Sequence, residues 1–143
     1  MVEALVALVV IGVGMLGIAS LYVVTLRSNG SAISRMQAVN LATDIGDRIR
    51  ANRQAREAYE GAAAADGNGC LGEAQSCAAQ EMAAHDLFVW RQQVAATLPA
   101  GTGTVAVDGA GSTRTYTISI SWLEAGEAAT DANRLSYVMR MQI

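Results

Sequence analysis

The sequence predicts an α+β protein. Its long N-terminal helix, apolar in the first half and amphipathic in the second, should pack on a small antiparallel β-meander, with a helix-containing intervening loop. Three observations predict this. Between Glu3 and Arg27 lie 23 residues without a charge. Residues 31–60 carry apolar side chains at helical spacing. From Thr115 onward, apolar and polar side chains alternate with the period of a half-buried strand. Residues 1–30 are therefore expected to form the apolar half of the helix, and residues 31–143 a globular domain.

The uncharged run, residues 4–26, is too long for a buried strand and for a signal-peptide core. As a helix it extends about 34 Å at 1.5 Å per residue, enough to cross the hydrocarbon of a bilayer. Glu3 stands at its head, where an ionised carboxylate near lipid is costly and marks function unless it only complements the helix dipole. No basic residue precedes the run, whereas Arg27 and Arg35 follow it. That asymmetry alone places the C-terminal domain in the cytoplasm, and a basic leader upstream reverses the assignment.

Gly12, Gly14 and Gly17 spell the G-x-G-x-x-G pattern of dinucleotide-binding turns. That reading needs a parallel second strand and an acidic residue about 20 positions on. The first acid after Gly17 is Asp44, inside a helical stretch, so the glycines are read as sites of close helix packing or local flexibility.

In residues 31–60, Ile33, Met36, Leu41, Ile45 and Ile49 define one apolar face, and the helix is expected to end near Gly61. Asp44–Arg48, Arg53–Glu57 and Arg56–Glu60 are i,i+4 pairs on the solvated face. A Gly/Ala loop over residues 61–78 holds the two cysteines, Cys70 and Cys77. Outside the cytoplasm these form a disulfide; in a reducing compartment they remain free thiols.

From about Gln80 to Leu98 a second helix presents Leu87, Trp90, Val94 and Leu98 on one face, and Pro99 marks its stop. Val105 and Val107 lead into the turn Asp108–Ser112. Tyr116, Ile118, Ile120 and Trp122 then alternate with hydroxyl residues. After a polar loop at Glu124–Asn133, Leu135, Tyr137, Met139, Met141 and Ile143 alternate again. Tyr116, Trp122 and Tyr137 share the apolar face and are read as core.

Composition narrows the function classes. All ten basic residues are arginine, against 13 acids, for a net charge of −3, so no global field for nucleic acid exists. Arg48, Arg50, Arg53 and Arg56 are nearly cancelled by acidic neighbours. Two cysteines and one histidine cannot build a four-ligand zinc site, so neither a structural zinc nor another cofactor is expected. His85 has no nucleophile or ligand set beside it and is read as a surface or boundary residue. No catalytic constellation is expected.

Met1–Leu8 resembles the start of a mature type IV pilin. Val9–Gly17 and Asp47–Arg53 are similar to the corresponding stretches of PilV-type minor pilins. In that alignment the chain starts two residues into the mature sequence, and a leader is expected upstream. The resemblance implies a non-enzymatic minor pilin that primes or modifies a type IV pilus, with motility, adhesion and DNA uptake as downstream roles. It implies insertion in the inner membrane with the domain in the periplasm, processing and methylation by a prepilin peptidase, then packing against other major and minor pilins. Glu3 would set inter-subunit register by pairing with a neighbour's N-terminal amine. A minor pseudopilin of type II secretion and a pilus-tip adhesin or DNA-binding subunit are the alternatives the same N-terminus allows.

Overall fold

The computed structural model describes residues 1–60, 70, 76–109, 113–124, 130 and 133–143. Most of the Gly/Ala loop, the centre of the Asp108–Ser112 turn and most of the Glu124–Asn133 loop lie outside them. The chain divides into two compact units, Met1–Ile33 and Ser34–Ile143.

The N-terminal unit consists of the first part of helix α1, which spans Val2–Ala51. A helix satisfies backbone polar groups within the segment, which a run of Val, Ile and Leu in an apolar medium requires. Thr25 returns its hydroxyl to the Leu21 carbonyl at 2.9 Å, so even this polar side chain is satisfied locally.

The C-terminal unit begins with the remainder of α1, followed by a 3-10 helix at Arg53–Tyr59, helix α2 at Ala79–Thr97, and strands β1 (Thr102–Asp108), β2 (Thr115–Leu123) and β3 (Arg134–Gln142). The strands form an antiparallel sheet in the order β1-β2-β3. Val105 lies opposite Ile118, which lies opposite Met139. Val105, Val107, Tyr116, Ile118, Ile120, Trp122 and Met141 enter the core from the sheet, with Leu135, Tyr137 and Met139 partly buried beside them. Along β2 the opposite face carries Thr115, Thr117, Ser119 and Ser121, as the alternation predicts. Gly103 takes an inward position on β1 because the Trp90 ring fills the space its side chain would need.

The helices cover the apolar face of this sheet. α2 buries Leu87, Trp90 and Val94, and Leu98 follows them into the core. Its first turn is held by Glu81, whose carboxylate accepts the Ala78 N–H at 2.9 Å. The Trp90 indole donates to the Leu41 carbonyl at 2.9 Å, tying α2 to α1. Leu98 accepts the Gly101 N–H at 3.0 Å, closing the turn that reverses the chain into β1.

Three expectations change. The buried stripe of α1 is Ala38, Ala42, Ile45, Gly46 and Ile49, whereas Ile33 and Met36 are exposed and Leu41 is half-buried. Small residues win because the sheet comes close: a Cβ at Gly46 would stand 3.0 Å from Met139 Cε and 3.3 Å from Met141 Sδ. The α-helix also stops at Ala51 rather than near Gly61. Asn52 leaves helical geometry, with φ −112° and ψ 54°, and donates to the Ala79 carbonyl at 2.8 Å. That bond and the burial of Tyr59 favour a tighter 3-10 turn. Finally, Glu57 pairs with Arg114, just before β2, rather than with Arg53. The Arg56 side chain, and with it the Arg56–Glu60 pair, lies outside the described residues.

Candidate assembly surface

Two sets of residues stand out, one in each unit. In the N-terminal unit, no large hydrophobic side chain from Val2 to Leu26 is buried; Leu5, Leu8 and Leu21 are 64%, 66% and 70% exposed. The most apolar 18-residue window of α1 has mean hydropathy 2.6, long and apolar enough to span a membrane. The helix is apolar all round, the pattern of an element surrounded by lipid or other helices. Val2, Leu5, Val6, Val9 and Val10 line a shallow groove of about 240 Å³ on its surface.

Helical geometry sorts the sequence-predicted residues by face. At about 100° per residue, Ala7, Gly14 and Gly17 fall within about 40° of Glu3. Gly12 falls about 180° away. Glu3 therefore heads a seam of small residues containing two of the three glycines, while Gly12 belongs to the other side. A methyl group added at any of the three glycines meets nothing within 4 Å in the single chain.

In the C-terminal unit a polar cluster joins the end of α1 to the 3-10 helix and α2. Arg48 donates to Asp44 at 3.1 Å and to Asp86 at 3.2 Å. Asp86 is buried and also accepts the Tyr59 hydroxyl at 2.7 Å. Asn52 donates to that hydroxyl at 3.3 Å. Burial, and then the bond to Asp86, hold the Tyr59 phenol well above its ordinary pKa. His85 is 6% exposed, so it belongs to the interior rather than the boundary, carried inward beside Asp86. Arg50 pairs with Asp47 at 2.6 Å, so Arg48 and Arg50 are both neutralised locally.

Cys70 and Cys77 are joined by a disulfide. Cys77 borders an open cleft of about 490 Å³ with Arg48, Asn52, Met82 and Asp86, placing the bridge beside the polar cluster. Sequence reasoning identified the Asp44–Arg48 pair but missed Tyr59, Asn52 and Asp86. Asp86 lies 38 residues from Arg48, beyond any helical spacing.

A long N-terminal helix, apolar at its start, combined with a small antiparallel sheet defines an α+β chain of pilin-like fold. The family described as Tt1218-like, type IV pilin Tt1218, matches residues 20–88, slightly less than half of the chain. The matched span runs from the end of the apolar run into α2, and it supports a type IV pilin subunit. No curated protein and no solved structure matches the chain.

Proposed function

We propose that this chain is a minor pilin, of PilV type, that primes or modifies assembly of a type IV pilus. The observation that carries the reading is the apolar helical unit whose large side chains are all exposed, in one chain with a folded domain. Such a helix exchanges lipid for other helices with little hydrophobic change, so packing and polar contacts decide association. Gly14 and Gly17 allow close approach on the Glu3 side, and Gly12 does so on the other. Glu3 pairs with the N-terminal amine of an adjacent subunit; since a buried unpaired carboxylate is strongly unfavourable, the pair fixes register.

The precursor is inserted as a single span in the inner membrane with its domain in the periplasm, where the Cys70–Cys77 bridge is stable. Prepilin peptidase processes and methylates its N-terminus, and the subunit then joins other pilins. Twitching motility, adhesion or DNA uptake follow from the filament.

The test is an epitope-tagged chain expressed in its native host, with filaments sheared from the cell surface. The tag should appear in the filament fraction in small amount relative to the major subunit, and Glu3→Ala should lower it at least tenfold. A tag confined to the inner membrane in piliated cells, with protein secretion lost on deletion, would overturn the pilus assignment in favour of a pseudopilin.

A further inference from the structure

We propose that the open edge of β3 takes up an extended segment of a different pilin subunit as an added strand, with apolar side chains on its inner face and a carboxylate beside Arg140. The proposal rests on the filament reading above and adds a contact made by the folded domain rather than by the apolar helix.

The two edges of the sheet differ. Arg114 and Ile143 exchange both backbone hydrogen bonds, at 2.9 Å each. Continuing that register, Met141, Met139, Tyr137 and Leu135 turn their N–H and C=O groups toward β2. Gln142, Arg140, Val138 and Ser136 therefore turn theirs outward. By the same alternation across β2, the outward residues of β1 are Gly103, Val105 and Val107. That edge is covered: Arg91 donates to the Gly103 carbonyl at 3.2 Å, and α2 and the 3-10 helix pack against β1. β3 packs extensively only on β2. Among the described residues, no hydrogen bond reaches the outward groups of Ser136, Val138 or Arg140.

β3 also lacks the usual protections of an edge strand. Its nine residues run in continuous register with β2, without proline or a bulge. Arg134 is turned back across the sheet onto Ala100 and Thr102, which leaves Arg140 as the one charge along the open edge. Val138, at the centre, is 50% exposed. On the inner face Leu135, Tyr137 and Met139 are only partly buried, and a strand beside them completes their cover.

These features select the occupant. A row of outward N–H and C=O groups at the strand repeat is matched by another extended backbone, not by a helix. Apolar side chains suit the positions beside Tyr137 and Met139, and a carboxylate suits the position beside Arg140, which is exposed and without an ion pair among the described residues. The chain's own strands do not supply such a partner: the edge of β1 is covered, β2 is internal, and β3 carries no acid. A different subunit does, in keeping with the minor-subunit reading.

The experiment has two parts. In the full chain in detergent micelles, amide exchange followed by NMR should alternate along β3, with Val138 and Arg140 exchanging about tenfold or more faster than Tyr137 and Met139. Equal protection at all four would show that the chain covers its own edge and would overturn the proposal. In cells, Val138→Pro removes an outward donor that β2 does not use, a change an edge strand tolerates. It should lower incorporation of the tagged chain into sheared filaments about fivefold or more, whereas Val138→Thr should stay within about twofold of wild type. Arg140→Glu keeps every backbone group, so it tests the contact without challenging the fold. It should lower incorporation about threefold or more by repelling the partner's carboxylate. A benzophenone side chain introduced at Ser136 should crosslink to a different pilin. Entry of either Val138→Pro or Arg140→Glu into filaments at the wild-type level, or a crosslink to a second copy of this chain, overturns the proposal. Wild type present in filaments with both variants unaffected removes the added strand alone; absence of wild type from filaments removes the reading on which it rests.

Discussion

The two units of this chain use similar side chains to opposite ends. Between Val2 and Leu26, every large hydrophobic residue is exposed. In Ser34–Ile143, a core of Ile, Val, Leu, Tyr and Trp is closed on all sides, with Trp90, Tyr59, Ile45 and Ile118 at 0–1% exposure. The difference lies in periodicity rather than hydrophobicity. A segment that is apolar at every position has no face to turn inward, so it stays a single helix awaiting other surfaces. Segments that alternate every two residues, or every three to four, have one apolar face each and can bury it against one another. The first unit thus leaves its apolar surface open, while the second buries its own in folding.

The sharpest break in that comparison is a pair of truncations. Trp90→Ala should lower domain stability by about 3–5 kcal/mol, because it empties the centre of the core and removes the donor to Leu41. Leu8→Ala removes a comparably apolar group, yet should leave domain unfolding within about 0.5 kcal/mol. Urea unfolding followed by tryptophan fluorescence, with Trp122 retained as reporter, measures both. A Leu8 effect of more than about 1 kcal/mol would mean that the first unit contributes to the stability of the second.

A smaller effect comes from the polar cluster, which gives the domain a pH dependence of its own. The Tyr59 phenol is held above its ordinary value of 10.0, so the folded state keeps this proton where the unfolded chain loses it. A raised pKa contributes stability that is fully present below pH 10 and is lost as pH rises toward the folded value. Above pH 10, stability should therefore fall by as much as about 1.4 kcal/mol per pH unit from this group. Tyr59→Phe should flatten that slope while costing about 1 kcal/mol at neutral pH, where Asp86 loses a donor. Equal slopes in the two proteins would show that other groups govern the alkaline limb.

The sequence made the sheet legible for a physical reason. Tyr116, Ile118, Ile120 and Trp122 are large and strictly alternate, so one pleat and one orientation satisfy them. The same holds for Leu87, Trp90, Val94 and Leu98 on α2. The second half of α1 was harder to read, because weighting large residues selected Ile33 and Met36, whereas the buried stripe includes the small residues Ala38 and Ala42 and, close against Met139 and Met141, Gly46. Nothing local announces the break at Asn52, since its bonds go to Tyr59 and to Ala79, 27 residues away. Within the assembly surface, composition marked the length of the run and placed Glu3 at its head. The separation of Gly12 from Gly14 and Gly17 emerges only when the helix is drawn as a cylinder.

The smallest effect tests where backbone strain resides. Ala100 is the only non-glycine residue with positive φ among those described, at 48°. It follows Pro99 in the turn closed by the Gly101 N–H on the Leu98 carbonyl, a position that favours glycine. A Cβ there costs about 1–2 kcal/mol. The turn tolerates it because Arg134 donates to the Ala100 carbonyl at 2.8 Å and to the Thr102 hydroxyl at 3.1 Å, pinning β3 to the start of β1. Ala100→Gly keeps that carbonyl and removes the clash, but it also frees the unfolded chain by about 0.4–1 kcal/mol. The net should be a gain of about 0.5 kcal/mol, read as a small rise in the urea midpoint at unchanged slope. A loss instead would mean that the Ala100 methyl contributes more packing than its backbone costs.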